Sequence, residues 1–334
     1  MSAIARRRAV DRSVERSAVA ALLPLLALVP VWLLSLVVFW LPIRSFWHVE
    51  FWLFAVVHLA AVVVMFWRPL QTVLVMRMLG ASRATYDEAA RLEPAWRSVA
   101  NQLGIKPKRY ALAVLPSDEL NAFACGGSLL VVTSYAIETL PRDEMTGVLA
   151  HELAHHLGFH TVALTMRQWL SLPIFLLAQI GFFLQNVATA ATRSFVSHSS
   201  ALSAIGRLIS GLLNAVAWGF LSALLISNRI AGRAERSSEF EADRRAVAMG
   251  FGPELATALR RVDAADRQGR ADDSADWALT REEPDLWERR TSPRRQRRAR
   301  RKGLSMTHPS PRSRVVRIEA LVRHLEAGRT TARG

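Results

Sequence analysis

Val148-Leu149-Ala150-His151-Glu152-Leu153-Ala154-His155-His156 sets the reading of this chain of 334 residues. Pro141 suits a helix first turn, and Asp143 and Glu144 follow it near the positive end of the helix dipole. The spacing therefore predicts a helix running to about Gly158. His151 and His155 stand at i and i+4 and project from one face, close enough for their ring nitrogens to share one metal ion. Glu152 lies one residue along, placed to act as general base. Zinc is the ion that suits imidazole ligands and a hydrolytic carboxylate in this pattern. An amphipathic helix with exposed histidines is the alternative.

A catalytic zinc needs a third protein ligand. A histidine six positions after His155, as in metzincins, would stand at 161, but Thr161 is there and His160 is out of register by about 100°. The other candidate is Glu239-Phe240-Glu241-Ala242-Asp243, which begins 84 residues after His155. Glu239 and Asp243 share one helical face, so one can ligate while the other orients a ligating histidine through its free N–H. A surface helix laced with Arg233, Arg236, Arg244 and Arg245 is the alternative.

Working outward, four apolar stretches have membrane length, since about 20 residues cross the hydrocarbon core as helix. They are 18–41, 46–67, 168–192 and 208–228. The first is too long for a secretory signal, continues into Phe39-Trp40-Leu41, and is read as a retained span. Between His155 and Glu239 lie two spans, and an even number of crossings returns the chain to the side it left. Arg6, Arg7, Arg8, Arg12 and Arg16 precede the first span and Arg68, Arg77 and Arg83 follow the second, whereas the loop between them carries Arg44 alone. The positive-inside rule then puts both termini and the 68–167 segment in the cytoplasm of a multi-pass cell membrane protein. His48, Glu50, His58 and Arg207 read as interfacial or structural.

Half of the composition, 51%, is hydrophobic, which excludes a disordered chain, and the single Cys125 excludes an intramolecular disulfide or a cysteine-based zinc site. The formal charge of +15 suggests a nucleic-acid binder until its placement is considered. Residues 1–17 hold five Arg and two acids, Arg294–Lys302 holds seven bases and no acid, and 312–334 hold six Arg and two acids. The rest of the chain is nearly neutral, and no nucleic-acid partner is expected. From 266 to 304 the polar, basic composition predicts a disordered linker, with anionic lipid as the partner expected at Arg294–Lys302.

Within 68–167, Ala89, Leu92, Trp96 and Val99 mark a helix over Tyr86–Gln102 that Gly104 closes and Pro94 is expected to kink or break. Tyr110–Leu115 is a short apolar run, and Ala122–Ala124 and Leu129–Thr133 flank Gly126-Gly127 as a small hairpin.

These motifs resemble the M48 membrane metallopeptidases, and within them the HtpX-like heat-shock proteases. The resemblance rests on Asn121-Ala122-Phe123-Ala124 before a Gly pair, the His151–His156 motif, Glu239-Phe240-Glu241-Ala242-Asp243, and Thr307-His308-Pro309 followed by Arg317-Ile318. It implies one Zn2+ held by His151, His155 and Glu239, with Glu152 as general base. It also implies Asn121, Ala122, Phe123 and Ala124 along the cleft as a substrate strand and His308 as a candidate for stabilising the oxyanion. Asp243 is expected behind the ligands, with Arg312, Arg314 and Arg317 as open choices for its partner or for substrate.

The fold expected is α+β and mostly helical, with four transmembrane helices and a cytoplasmic zincin-like catalytic domain carrying a small β-sheet. Its parts are a basic N-terminus (1–17), a hairpin of spans (18–67), a catalytic part (68–167), a second hairpin (168–228), a catalytic part with the third ligand (229–265), a basic linker (266–304) and a C-terminal helix and tail (305–334). The expected activity is zinc endopeptidase action on polypeptides, by resemblance on misfolded or damaged membrane proteins. A prenyl-peptide-processing protease and a catalytically silent membrane adaptor are the alternatives.

Overall fold

The structure, a computed structural model, describes residues 16–195, 200–279 and 309–331. Within these the chain forms two compact units, one of Val19–Trp67 with Ala163–Arg233, the other gathering Arg68–Val162 and the described residues from Ala234 onward.

The first unit is helical. Helix α1 (Arg16–Trp47) turns through His48, at φ 51°, into α2 (Phe51–Val64). Trp40 pins this turn by donating its indole N–H to the Val49 carbonyl at 2.7 Å and packing edge-on to Phe51. The unit also takes most of α7 (His160–Phe195) and the first part of α8 (Ser200–Met249). Leu28, Ile174, Ala178 and Phe220 form its buried seam. Gly181 lets α7 and α8 approach closely, because a Cβ there would lie 2.8 Å from that of Ala217.

Among the described residues, three helices are long and apolar enough to cross a membrane: Leu28–Trp47 within α1, His160–Thr192 within α7 and Ala204–Arg229 within α8. The stretch expected as a span at 46–67 differs. Phe46 and Trp47 end α1, and α2, of 14 residues, is about 21 Å long at a rise of 1.5 Å per residue. At 84° to α2 follows α3 (Arg68–Leu79), so this pair is at most one broken span. The break falls where Phe66 and Trp67 tighten into i→i+3 bonds before Arg68-Pro69.

The second unit is built around a three-stranded sheet and the motif helix. Helix α4 (Tyr86–Leu103) opens with a capping box between Thr85 and Glu88 and ends on Gly104 at φ 65°. It runs through Pro94 as one helix, so of the kink or break expected there the break is corrected. The strands are β1 (Ala111–Leu115), β2 (Ala122–Cys125) and β3 (Leu129–Thr133), in the order β1-β3-β2. The expected hairpin is the antiparallel pair β2–β3, with Phe123 opposite Val131. The pairing of β1 with β3 is parallel, Ala113 opposite Val131.

Each face of the sheet buries a different layer. Leu130, Val132, Ala122 and Ala124 join the main core with Leu149 and Leu153. Ala113, Leu129 and Val131 pack with Phe123, Cys125 and the α3 side chains Val75 and Met76. Beside the β2–β3 turn, Gln71 of α3 accepts the Gly127 N–H at 3.0 Å, and a Cβ on Gly126 would meet the Gln71 amide. Gly126 is therefore needed both for its φ of 59° and for that close approach.

After α5 (Ser134–Thr139) comes the motif helix α6 (Arg142–Leu157), buried over nearly all its length. Its close neighbour is α9 (Gly252–Leu279): a Cβ on Gly147 would lie 2.4 Å from the Leu255 backbone nitrogen. Glu144 of α6, buried, accepts a bidentate pair from Arg261 of α9 at 2.6 and 2.8 Å. Helix α10 (Pro311–Thr331) packs on α9 with Ile318 fully buried.

The disordered linker expected from residue 266 is corrected in its first part, since α9 continues to Leu279. Ala264, Ala265 and Ala271 are strong helix formers there, and Asp263 pairs with Arg267 at i,i+4. Arg294–Lys302 and His308 lie outside the described residues.

Candidate metal centre

Helix α6 presents His151 and His155 one turn apart, their rings 4.9 Å centroid to centroid and nearly perpendicular. The donor between them comes from α8, which runs unbroken from its membrane-length segment through Glu239 and Asp243. Glu239 Oε2 lies 3.5 Å from His151 Nε2, and its Oε1 lies 3.4 Å from His155 Nε2. All three donors fall within 4.8 Å of one another and all three residues are buried. Tetrahedral zinc with bonds near 2.0–2.1 Å separates neighbouring ligand atoms by about 3.3 Å, so the three side chains fit that ion.

Behind the donors is a carboxylate–guanidinium network. His151 Nδ1 is 3.0 Å from Asp243 Oδ1, and its Nε2 faces Glu239 Oε2 at 3.5 Å with Arg314 Nη2 3.2 Å away. Of the three arginines left open by the sequence, Arg314 of α10 reaches the site. Its Nε and Nη2 donate to Asp243 at 3.0 and 2.7 Å, and its Nη1 lies 3.0 Å from Glu239 Oε2. Arg317 instead covers the Phe240 ring at 4.3 Å, and Arg312 points to Asp263 at 3.9 Å. The register of α10 explains the choice: residue 314 shares a helical face with buried Ile318, while Arg317 stands one position aside.

Protonation follows from this burial and charge. Burial and Arg314 disfavour a charged His151, but its bonds to Asp243 and Glu239 prevail and raise its pKa to about 9 without a metal. Asp243 is opposed by its own burial, yet Arg314 and His151 hold it below the usual carboxylate range. Arg314 loses solvation but gains Glu239 and Asp243, and stays charged. Glu152 is shifted the other way: burial, helped by the Glu239 charge, raises it above the usual carboxylate range against the pull of His151, His155 and Arg314. A carboxylate with a pKa moved towards neutrality is a better base for work near pH 7. Cys125, by its burial and the Glu152 charge, is pushed up to about 12 and is a neutral thiol.

Two further histidines brace the centre. His156 Nε2 lies 3.0 Å from the Leu129 carbonyl and Nδ1 3.1 Å from Thr161 Oγ1. A carbonyl only accepts, so Nε2 carries the proton and Nδ1 accepts the hydroxyl, which ties β3 to α6. Phe159, at φ 60°, turns the chain from α6 into α7 and brings His160 beside His155, the ring centroids 5.7 Å apart. His160 Nε2 is 3.0 Å from Ser238 Oγ, next to Glu239, and is outside the donor trio.

The remaining expected site residues are placed as follows. Asn121 precedes β2, where its backbone N–H and carbonyl both bond Thr133. Ala122, Phe123 and Ala124 lie in β2, the edge strand, and β3 is its one strand partner among the described residues. Phe123 packs towards α3, on the opposite face from Ala122 and Ala124. His308 cannot be positioned, being outside the described residues. The reach of Arg314, the tie made by His156 and the Glu144–Arg261 clamp depend on contacts between distant segments.

Comparison with known proteins gives the family. The family model for Peptidase family M48 matches residues 87–322. Curated relatives with the name Protease HtpX homolog include the following three. That of Salinibacter ruber is 28% identical over 197 residues, 58% of this chain and 63% of the relative. That of a Sulfurihydrogenibium species is 30% identical over 194 residues, 56% of this chain and 60% of the relative. The Acidiphilium cryptum protein is 30% identical over 194 residues, covering 57% and 61% respectively. The chain thus matches about three fifths of the length of each. No solved structure matches.

Proposed function

The chain belongs to peptidase family M48, and on that premise we propose that it is an integral membrane zinc endopeptidase acting on misfolded or damaged membrane proteins. The observation that carries the reading is the trio of His151, His155 and Glu239, with donor separations of 3.4 and 3.5 Å and Asp243 behind His151.

In this reading His151, His155 and Glu239 hold one zinc ion, and Asp243 fixes the His151 ring so that Nε2 faces it. Zinc, when bound, supplies a Lewis acid that polarises the scissile carbonyl and makes water more acidic. Glu152 removes a proton from the attacking water and returns it to the leaving amine. The outer edge of β2 receives an extended polypeptide through main-chain hydrogen bonds, with Asn121 at its start. His308 donates to the carbonyl oxygen as it gains charge.

The four-span topology, with α2 as the fourth crossing and both termini cytoplasmic, belongs to the same proposal. The common side of the two ligand segments needs only the pair α7 and α8. The basic Arg294–Lys302 segment rests on anionic lipid of the cytoplasmic leaflet.

The test is cleavage of an unfolded protein by detergent-purified wild type and Glu152→Gln, with zinc measured in both. The expected outcome is equal zinc and a loss of activity on the order of 10²–10⁴-fold in the variant. Equal inactivity of the two, with zinc bound, would instead support a silent adaptor.

A further inference from the structure

Within the membrane-length unit, α1, α7 and α8 enclose a cavity of about 130 Å³. It is lined by Arg167, which precedes the uncharged run 168–192 of α7, and by Asn228, one residue before the α8 span ends at Arg229, so it sits at the end of the α8 span that leads in sequence to a catalytic segment. Its polar wall is Arg167, Gln168, Ser171, Ser227 and Asn228, and Arg167 is the one charged residue in the lining. Ser227 is 2% exposed, and its hydroxyl has no hydrogen-bond partner among the described residues. The other wall is apolar and includes Leu172 and Phe175, both exposed on the unit's surface.

A buried hydroxyl without a partner is costly, and an acceptor in the cavity would relieve that cost. The acceptor best matched to a guanidinium, a hydroxyl and a carboxamide together is a phosphate, with several oxygens for charge-assisted bonds. At the end of a membrane span, phosphate is carried by lipid, and basic pockets between spans take such headgroups. The exposed Leu172 and Phe175 supply the surface that acyl chains would follow. No acidic residue lines the cavity to meet a choline or ethanolamine cation, which favours a headgroup of net negative charge.

We propose that this cavity binds the phosphate of an anionic phospholipid, Arg167 pairing the phosphate, Ser227 and Asn228 donating hydrogen bonds, and Leu172 and Phe175 lying along the acyl chains. The inference rests on the membrane reading, which carbonate extraction tests on its own. Release of the chain as a soluble protein would overturn both, whereas a chain retained in the membrane leaves the site to be judged by lipid binding.

The experiment is native mass spectrometry of the full-length protein in detergent with equimolar phosphatidylglycerol and phosphatidylcholine. Wild type is expected to retain phosphatidylglycerol about tenfold better, the scale of one charge-assisted pair. Arg167→Gln should bring the two lipids near parity, Ser227→Val should weaken retention of both, and Arg167→Lys should keep most of the preference. Arg207→Gln, at the other end of the α8 span, should keep all of it. Equal retention of the two lipids by wild type, which needs no variant to fold, would overturn the proposal. So would an unchanged preference in Arg167→Gln. Displacement of the lipid by millimolar inorganic phosphate would assign the site to free phosphate and overturn the lipid.

Discussion

The metal centre and the cavity between the spans both bury polar groups, but they satisfy them differently. In the centre, Arg314 faces two carboxylates, Asp243 faces His151 and Arg314, and Glu239 faces both histidines and Arg314, all within 3.5 Å. In the cavity, Ser227 has no hydrogen-bond partner among the described residues. A buried charge with its counter-charges in place defines a rigid site that can exist before its ligand arrives. A polar wall with spare hydrogen-bonding capacity marks a place whose partner comes from outside the chain.

If that contrast is right, the largest effect on the centre comes from removing its cation. Arg314→Leu leaves Asp243 and Glu239 buried without their shared guanidinium, and a loss of about 3–5 kcal/mol is expected in the metal-free protein. Denaturant titration checks this. With zinc added the loss should shrink, because the metal supplies positive charge to Glu239. Asp243→Asn is milder: it keeps the side chain's shape and removes its charge from His151, so zinc affinity should fall by about 10–100-fold with the helix content unchanged. Competition with a chromogenic chelator measures it.

The smallest expected effect is that of pH on the metal-free protein. The folded pKa of His151, about 9, exceeds its ordinary 6.5. The stabilisation it brings is therefore complete below about 6.5 and lost as pH rises through 9. A melting temperature that falls by a few degrees over this window in wild type, and stays level in His151→Gln, is the expected result. A rise would break the account of the network.

Sequence spacing carried the local parts of this structure. The i,i+4 histidines, the i,i+4 acids and the apolar lengths of α7 and α8 are each properties of one helix, readable from its own period. The parity of two spans between His155 and Glu239 was enough to pair segments 84 residues apart. The parallel register of β1 on β3 was not legible, because alternation fixes a strand's faces and leaves its neighbour open. Nor was the selection of Arg314 over Arg312 and Arg317, which follows from how α10 packs on α9. Helix α9 outran the composition argument, since low hydrophobicity predicts the lack of a core and not the lack of a helix that continues from one. The break between α2 and α3 shows the opposite failure: the apolar run continues, but its helix does not.

The central claim is that one zinc is held jointly by two stretches of chain, His151 and His155 from one and Glu239 from the other. Zinc content per chain, measured by elemental analysis on wild type, His155→Ala and Glu239→Ala after identical purification and dialysis, tests it most directly. About one zinc in wild type and little in either variant is the expected result. Full zinc in Glu239→Ala, or none in a folded wild type supplied with zinc, would contradict it.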